Sequence, residues 1–421
     1  MRVAVIGSGG REHALLWKIR QSPLCTELIA VPGNPGMFDV LDRCETDMSV
    51  NDLVDTIRRN RIDFVIVGPE QPLADGLSDE LDRLGILCFG PIQAAARLES
   101  SKVFAKQLMR SYGVPTAEFE VFTDFESVQN HISAHPRPNG RVVKADGLAA
   151  GKGAFVCGSD AEAMDVARRL LVDKELGTAG TRIVIEELLS GREASLHFFC
   201  DGERYVALPP AQDYKRAFDG DKGANTGGMG TFCPAAHVPS KTIREVERQV
   251  VEPVLNALRA MGTPYRGLLY VGIMLTETGP QVIEFNCRFG DPETQVMLPC
   301  LGYDALEPML ECAKGTLSPS KYAQTTSRCA VCVVLCAEGY PATYRKYVPL
   351  VPVESQADQL LFSAGTAMLN GSWVSSGGRV LNAVGLGDTM EIARNNAYKL
   401  ADRAVVEGLR MRRDIALSEV L

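Results

Sequence analysis

The feature that most constrains the fold of this chain is an alternation of short apolar runs with amphipathic stretches near its start. The apolar runs RVAVIG, LIAVPG, DFVIVGP and ILCFGP are each of strand length, and helical patterns lie between them. The predicted helices are Glu12–Arg20, Asn51–Asn60 and Leu77–Leu84. Apolar strands that alternate with helices are typical of a parallel sheet covered on both faces. The sequence therefore predicts an N-terminal parallel α/β domain.

The rest of the chain is long enough for further units, because 421 residues exceed one ordinary core. A helix is predicted at Ser100–Gly113, followed by a small α+β lobe with the strands RVVKAD and RIVIEELL and the helix Ala161–Leu171. The strands ASLHFFC, LLYVGIML and PQVIEFN indicate a larger lobe, and a last helix is predicted at Met390–Leu409. We expect an α/β and α+β multidomain protein divided into residues 1–100, 101–192, 193–326 and 327–421, of which the last is a small α+β domain.

Composition and charge argue against several classes of protein. The 44 Lys and Arg residues against 52 Asp and Glu residues give a formal charge of −8, which disfavours nonspecific nucleic-acid binding. We expect neither a membrane span nor a secretion signal, since no long apolar run and no basic leader is visible. Twelve cysteines then favour a reducing compartment, and we expect a cytoplasmic protein. Cys329, Cys332 and Cys336 approach a metal spacing, but their apolar surroundings are typical of a buried strand.

The first predicted strand ends in the glycine turn Gly7–Gly10, which is followed by a helix start. Backbone N–H groups and the helix dipole make such a turn a candidate phosphate site. A dinucleotide fingerprint would need a third glycine where Glu12 stands, and no clear acidic residue ends the second strand to hold a ribose. The structural alternative is a glycine turn needed only for close packing of strand and helix.

A second glycine-rich segment, VVKADGLAAGKG at residues 142–153, begins on a predicted strand that carries Lys144. Its backbone N–H groups, with Gly151, Lys152 and Gly153, suit a loop that folds over a polyphosphate. The segment matches neither the Walker A pattern nor the protein-kinase glycine loop, so a different nucleotide fold is expected. The alternative is a surface hairpin whose lysines are incidental.

The segment QVIEFNCRFGDPETQ at residues 281–295 carries the strongest chemical signal. Alternation along a strand places Glu284 and Asn286 on one face, and both offer the oxygen ligands that Mg²⁺ prefers beside ATP phosphates. Arg288 falls on the same face and Asp291 lies in the next turn. Polar residues clustered on an apolar strand are costly to bury without a ligand. The alternative is an ion pair between Glu284 and Arg288.

Three other segments were interpreted from residue type alone. The strand RIVIEELL with the following GRE offers carboxylates for an adenine and its ribose, and QDYKRAFDGDKGANTGGMG is predicted to be a long functional loop that meets the substrate. The candidate residues are Glu186, Glu187, Glu193, Asp213 and Lys215. The basic cluster Met411–Arg413 is predicted to be a solvated surface, and phosphate binding is the alternative.

Eight motifs, taken in order, resemble those of the glycinamide ribonucleotide synthetase family: GSGGREHAL, GPEQPL, ESSKVFAK, VVKADGLAAGKG, VIEELLSGREAS, QDYKRAFDGDKGANTGGMG, VIEFNCRFGDPETQ and GGRVLNAVGLGDT. The resemblance runs from the first residue into the last hundred and implies an ATP-grasp fold flanked by an N-terminal and a C-terminal domain. It implies that ATP and glycine form glycyl phosphate, which 5-phosphoribosylamine attacks to give glycinamide ribonucleotide in purine synthesis. ATP is then a co-substrate that acts with Mg²⁺ or Mn²⁺, and we expect a monomer or weak homodimer.

The resemblance also implies roles for individual residues. The nucleotide would be contacted by Lys102, Lys144, Gly151, Lys152, Gly153, Glu186, Glu187 and Glu193. The substrates would be contacted by Gly9, Gly10, Glu12, Glu70, Asp213 and Lys215. Glu284 and Asn286 would bind the metal, while Arg288, Asp291 and Lys144 would act in the phosphate transfer. No general base is expected, since the free amine is already a nucleophile.

Three other functions stay open at this point. A sister ATP-grasp enzyme that activates bicarbonate or formate would share the lysines and the metal strand. An oxidoreductase built on the opening turn would bind a nicotinamide dinucleotide, and a noncatalytic sensor would bind ATP without releasing ADP. We also expect a stand-alone enzyme rather than one step of a longer fused protein.

Overall fold

The computed structural model of the chain describes residues 1–37, 42–43, 46–149, 153–322 and 327–420. Within these ranges, four main β-sheets carry the helices of the fold. None of the helices in the described ranges has both the length and the apolar character needed to cross a membrane. The N-terminal parallel sheet, the lobes and the C-terminal α+β unit that the sequence predicted are all present.

The N-terminal sheet is entirely parallel, as the alternating apolar runs predicted. Its strands in spatial order are Asp42–Arg43, Glu27–Pro32, Arg2–Gly7, Phe64–Val67 and Leu87–Phe89. Its helices are Gly10–Ile19, Val50–Arg59, Glu70–Ala74, Leu77–Arg83 and Gln93–Ser100. The carboxyl ends of parallel strands lie at one edge of a sheet, so the turns after Arg2–Gly7 and Phe64–Val67 meet there. At that edge the Gly68 N–H donates to the Ile6 carbonyl at 3.0 Å.

The small-lobe sheet is antiparallel, with the spatial order Phe119–Phe122, Ile183–Glu187, Arg141–Ala145 and Ala154–Cys157. Two helices, Phe125–Ala134 and Asp160–Leu171, cover it, and a 3₁₀ turn lies at Gly177–Gly180. Each helix begins at a side-chain cap, because Asp124 accepts from the Ser127 N–H at 2.8 Å and Ser159 accepts from the Glu162 N–H at 3.2 Å.

The large-lobe sheet is also antiparallel, with the spatial order Tyr205–Ala207, Arg192–Asp201, Arg266–Thr276 and Gly279–Asn286. Its α-helices are Lys102–Tyr112, Ser240–Val246, Glu252–Ala260, Thr294–Met297 and Leu306–Lys314. A π-helical turn at Glu247–Val251 and 3₁₀ turns at Leu298–Cys300 and Pro319–Tyr322 accompany them. The last strand carries the predicted metal residues, with Glu284 opposite Gly272 and Asn286 opposite Tyr270.

The C-terminal sheet runs in the spatial order Gln212–Asp213, Gly230–Cys233, Cys329–Ala337, Arg379–Gly387 and Gln359–Ser363, and Leu409–Arg410 also pairs with Cys329–Ala337. It carries the helix Met390–Ala404 and the 3₁₀ turn Leu417–Glu419. Two hairpins accompany it: Arg216–Phe218 with Lys222–Asn225, and Thr366–Leu369 with Ser372–Ser375. The cysteine-rich run at 329–337 is a largely buried strand, as predicted. Strands from the middle of the chain thus belong to the C-terminal sheet.

Two predicted elements differ from the structure. The last helix ends at Ala404 rather than Leu409, because Val405 is extended and Leu409–Arg410 pairs as a strand. The segment 212–230 is not a simple loop, since part of it forms the hairpin of Arg216–Phe218 with Lys222–Asn225. Backbone pairing decides both cases: Leu409–Arg410 pairs with the distant strand Cys329–Ala337, whereas Arg216–Phe218 pairs with its neighbour Lys222–Asn225. Local polarity does not report either pairing.

The predicted solvated cluster at Met411–Arg413 is wrong for its central residue. The Arg412 side chain is 1% exposed and pairs with Asp221 at 2.9 Å and with Asp414 at 2.6 Å. Arg412 also donates to the Arg216 carbonyl at 2.9 Å. Arg412 therefore links the C-terminal segment to the hairpin 216–225.

Replacing Arg412 with methionine should lower the free energy of unfolding by about 2 kcal/mol. The substitution removes a buried cation and leaves its two carboxylate partners without an ion pair to Arg412. The matched control is Arg413→Met, whose side chain is 57% exposed and pairs with Asp402 at the surface. That pair should contribute less than about 0.5 kcal/mol. Urea unfolding at pH 7 measures both variants, and equal midpoints would contradict the linking role of Arg412.

Candidate active site

A cavity of about 310 Å³ lies where the two lobes face the N-terminal domain. It brings together most of the residues predicted from the sequence: Glu70, Lys102, Lys144, Gly153, Glu186, Glu187, Glu193, Asp213, Lys215, Glu284, Asn286, Arg288 and Asp291. Gly151 and Lys152 lie outside the described residues. The predicted site is thus a single pocket rather than scattered surface groups.

Three lysines give one wall of the cavity a positive charge. Lys144 Nζ lies 2.9 Å from Glu186 Oε2 and donates to the Ile283 carbonyl at 2.9 Å, and Lys106 Nζ lies 3.1 Å from the same Glu186 oxygen. Burial lowers the pKa of Lys102, and it lowers the pKa of Lys106 to about 8. An acidic chain thus concentrates cations where a polyphosphate would need them.

The strand that ends at Asn286 offers oxygen donors to the same cavity. Burial would raise the pKa of Glu284, but the charges of Lys215 and Lys144 outweigh it and hold that pKa below its usual value. Glu284 is therefore ionised, and a carboxylate beside an amide oxygen suits a hard divalent cation that also holds phosphate oxygens. Within the described residues no cluster of three acidic, histidine or cysteine side chains forms a complete metal cage. The chemistry of the two oxygen donors, a carboxylate and an amide, fits a metal that also holds phosphate oxygens.

Arg288 pairs with two carboxylates from the N-terminal part of the chain. Its guanidinium lies 3.2 Å from Glu70 and 2.8 Å from Glu99, and its Nη2 lies 3.5 Å from Asn286 Oδ1. Burial alone would lower the pKa of Arg288, but Glu99 and Glu70 outweigh it and raise that pKa. These contacts replace the Glu284–Arg288 ion pair that was the structural alternative. A fixed cation at this point can face a transferring phosphate.

The predicted substrate residues of segment 212–230 also reach the cavity. Lys215 Nζ lies 3.0 Å from Glu193 Oε2, so the ribose candidate and a substrate candidate are paired. Burial raises the pKa of Asp213, and Asp213 and Glu193 together outweigh burial to raise the pKa of Lys215. The Lys215–Glu193 ion pair thus places a positive and a negative charge side by side in this corner.

Glu187 turns its carboxylate away from the cavity floor. Its Oε1 accepts from the Glu118 N–H at 3.0 Å, and its Oε2 accepts from Arg137 Nη1 at 3.1 Å. Both oxygens of the Glu187 carboxylate are thus engaged by residues that border the strands of the small lobe. The main-chain N–H of Glu187 is engaged as well, because it donates to the Glu118 carbonyl at 3.0 Å. The neighbouring Glu186 faces the lysines.

The opening glycine turn is filled by Glu12. The Glu12 carboxylate accepts from the Gly9 N–H at 2.6 Å, and a β-carbon placed on Gly68 would clash with it at 2.0 Å. Gly10 packs against Asn382, and a β-carbon on Gly9 would lie 3.3 Å from Asp291 Oδ2. A dinucleotide pyrophosphate could not take the same N–H group while Glu12 holds it. The turn therefore borders the cavity near Asp291.

Comparisons with known proteins agree with this geometry. Family models described as the N domain, the ATP-grasp (A) domain and the C domain of phosphoribosylglycinamide synthetase match residues 1–99, 100–294 and 330–418. The chain belongs to the phosphoribosylglycinamide synthetase family.

Relatives of this synthetase family cover the chain almost completely. Proteins named phosphoribosylamine–glycine ligase from Rhodopirellula baltica and Caldanaerobacter subterraneus are 43% and 40% identical, over 98% and 99% of this chain and 97% and 99% of their own lengths. The human trifunctional purine biosynthetic protein adenosine-3 is 43% identical over 100% of this chain, which corresponds to 42% of that protein. The match to the bacterial ligases is thus end to end.

Solved structures lead to the same family. The crystal structure of phosphoribosylamine–glycine ligase from Thermotoga maritima has a TM-score of 0.87 and 35% identity, covering 99% of this chain and 100% of that one. The biotin carboxylase domain of the Hydrogenobacter thermophilus 2-oxoglutarate carboxylase has a TM-score of 0.74 at 14% identity, covering 97% of this chain and 91% of that one. The second likeness shows the fold alone, and it is the predicted ATP-grasp fold.

Several cavity residues of this synthetase were not predicted from the sequence. They are Glu99, Lys106, Tyr270 and Glu293. Glu99 and Lys106 flank Lys102 in the run ESSKVFAK, and Glu293 belongs to GDPETQ. The sequence shows these motifs but does not show that the side chains of Glu99, Lys106 and Glu293 point into the cavity. Glu293 accepts from Ser195 Oγ at 3.2 Å, and Ser195 Oγ lies 2.9 Å from the Tyr270 hydroxyl. Glu293, Ser195 and Tyr270 thus form a buried hydrogen-bonded group beside the cavity.

Proposed function

We propose that this ATP-grasp ligase of purine biosynthesis joins glycine to 5-phosphoribosylamine through a glycyl phosphate intermediate. The observation that carries the proposal is the cavity in which Lys144, Glu284 and Arg288 face one another beneath the two lobes. A carboxylate is a poor acyl donor until phosphate is attached to it. Phosphate transfer needs positioning and positive charge more than a base, and the cavity supplies both.

We assign the nucleotide to the lysine wall. Lys102 and Lys144 would contact its phosphates, and Gly151, Lys152 and Gly153 would cover them. Glu186 and the main-chain carbonyl of Glu187 would face the adenine, with Glu193 toward the ribose. The buried Lys144–Glu186 pair supports this assignment, because it holds the lysine in one direction before ATP binds.

We assign a divalent metal, Mg²⁺ or Mn²⁺, to Glu284 and Asn286. When bound there with ATP, the ion would neutralise charge on the phosphate oxygens. The residues of the chain do the remaining work: Glu284 stays ionised among the lysines, and Asn286 is oriented by Arg288.

We assign glycine to the corner between the hairpin segment and Arg288. The glycine carboxylate would face Arg288 and Lys215. Its ammonium group would face Asp213 and Glu293, two cavity acids that have no ion pair within the described ranges of the chain. Asp291 would orient the substrate from the next turn.

We assign 5-phosphoribosylamine to the border of the cavity at the N-terminal domain. Gly9, Gly10, Glu12 and Glu70 would contact it, and the short separation between Gly9 and Asp291 supports this direction of approach. Its free amine would attack the acyl carbon without help from a base. Closure of the lobes would exclude water from the acyl phosphate.

The remaining assignments concern the whole molecule. We propose the domain limits 1–100, 101–192, 193–326 and 327–421, which the separate sheets support although residues 212–233 pair with the last domain. We propose that the protein is cytoplasmic and that it is a monomer or a weak homodimer. Within the described ranges no cysteine is joined in a disulfide bond, which supports a reducing compartment.

The test is ADP release by the purified protein with ATP, Mg²⁺ and glycine, with and without freshly generated 5-phosphoribosylamine. We expect release that needs both substrates and yields glycinamide ribonucleotide by mass spectrometry. Labelled bicarbonate and formate replace glycine in parallel assays. Incorporation of either label would refute the glycine assignment while keeping the ATP-grasp fold.

A further inference from the structure

One arginine of the C-terminal domain reaches two walls of the active site. Arg379 stands at the start of the strand Arg379–Gly387, and its Nη1 donates to the carbonyl oxygens of Gly227 and Asp291, the latter at 2.7 Å. Its Nη2 lies 3.4 Å from Asp291 Oδ1. Gly227 and Asp291 both line the cavity. A single side chain thus fastens two chain segments that are distant in sequence.

The backbone of the glycine segment is shaped to this guanidinium. A β-carbon on Gly227 would lie 3.1 Å from Arg379 Cζ. Gly228 has a φ of +110°, and a β-carbon there would clash with Pro292 at 2.5 Å. Side chains at these two positions would push the segment off both the arginine and the turn after Asp291. The contact is therefore a built one, with glycines where the close approach requires them.

Asp291 is the point where three domains meet. Its Oδ1 accepts from Gln295 Nε2 at 2.9 Å, and its Oδ2 would be 3.3 Å from a β-carbon on Gly9. Burial would raise the pKa of Asp291, but the charges of Arg379 and Arg11 outweigh it and lower that pKa. The carboxylate is thus ionised and held, and Arg379 supplies the contact from the C-terminal domain.

We propose that Arg379 is a positioning residue of the ligase, which fixes the Gly227 carbonyl and the Asp291 turn beside Arg288. The inference rests on the proposed function. A planar guanidinium can hold two carbonyls and a carboxylate at once, and a lysine ammonium at the same place lacks that fork. The nucleotide end of the cavity has its own anchor in the Lys144–Glu186 pair. The effect of Arg379 should therefore fall on glycine and on turnover, and not on ATP.

The experiment compares Arg379→Ala, Arg379→Lys and the control Arg394→Ala with the wild-type protein. Arg394 lies in the same domain and also donates to two backbone carbonyls, those of Ile415 and Arg413, away from the cavity. We expect Arg379→Ala to lower kcat/KM for glycine by about 10- to 100-fold, with the KM for ATP changed by less than about threefold. Arg379→Lys should fall between it and the wild type. Added guanidinium ion should restore part of the turnover of Arg379→Ala and none of any loss in Arg394→Ala.

Three results would overturn the inference. One is a kcat/KM for glycine within twofold of wild type in Arg379→Ala. Another is a loss without guanidinium rescue in both alanine variants, accompanied by equal falls in melting temperature, which would show a purely structural role. The third is a rise confined to the KM for 5-phosphoribosylamine, which would show direct substrate contact. The wild-type assay alone tests the proposed function, so its failure is distinguishable from failure of the Arg379 inference.

Discussion

Replacing Lys144 with methionine should lower kcat by about 100- to 1,000-fold, because the substitution removes a preorganised positive charge from the phosphate site. Methionine keeps most of the aliphatic stem of the lysine, so the packing around the strand changes little. Glu186 does not become an unpaired buried charge, since Lys106 Nζ remains 3.1 Å away. The loss should therefore appear in turnover and not in folding.

The matched control for this variant is Lys241→Met, at an exposed position near the start of the helix Ser240–Val246. Its turnover should equal that of the wild type. Both variants are measured by ADP release at saturating substrates, with circular dichroism to check folding. A folded Lys144→Met protein that turns over within twofold of wild type would remove this lysine from the mechanism.

Replacing Glu284 with glutamine should raise the metal concentration needed for half-maximal activity by at least about 10-fold. The amide keeps the size of the side chain but removes the negative charge that attracts the cation. Burial would raise the pKa of Glu284, but four cationic neighbours, Lys215, Lys144, Lys102 and Arg288, outweigh it and hold that pKa low. Part of the effect will therefore come from a changed electrostatic potential at the ATP phosphates, because the lysines lose a neighbouring negative charge.

The control for Glu284→Gln is Glu277→Gln. Glu277 is an exposed acid in the turn between the strand that carries Glu284, Gly279–Asn286, and its neighbour Arg266–Thr276. Titrations of ADP release with Mg²⁺ and with Mn²⁺ compare the two variants at saturating ATP. The Glu277 variant should follow the wild-type curve for both ions. An unchanged curve for Glu284→Gln would make this acid a structural counterion of the lysines and leave the metal assignment without its principal ligand.

The sequence predicted the strands and the site for different physical reasons. Apolar alternation reports strand burial directly, which is why the runs at 2–7, 64–67 and 329–337 were placed correctly. The period of two along a strand also placed Glu284 and Asn286 at one cavity. Helices such as Gln93–Ser100 and Phe125–Ala134 were not predicted, because short helices with mixed composition give a weak periodic signal.

Side-chain partners could not be predicted, because they join residues that are far apart along the chain. Arg288 lies 218 positions from Glu70, and Arg412 lies 191 positions from Asp221. Residue type says that each arginine needs an anion, but only the packing of domains decides which one. For the same reason Glu187, predicted as a nucleotide contact, has its carboxylate bound by Glu118 and Arg137.

The sequence by itself determined the fold class, the family motifs and the chemical types at the active site, since burial patterns and motif spacing are local properties of a chain. Only the tertiary structure decided that Glu12 fills the opening glycine turn, that Glu99 holds Arg288, and that Arg379 reaches the cavity from the last domain. Those contacts depend on how separately folded sheets meet. Their energies come from charges and carbonyls brought together in a buried place, which no local pattern encodes.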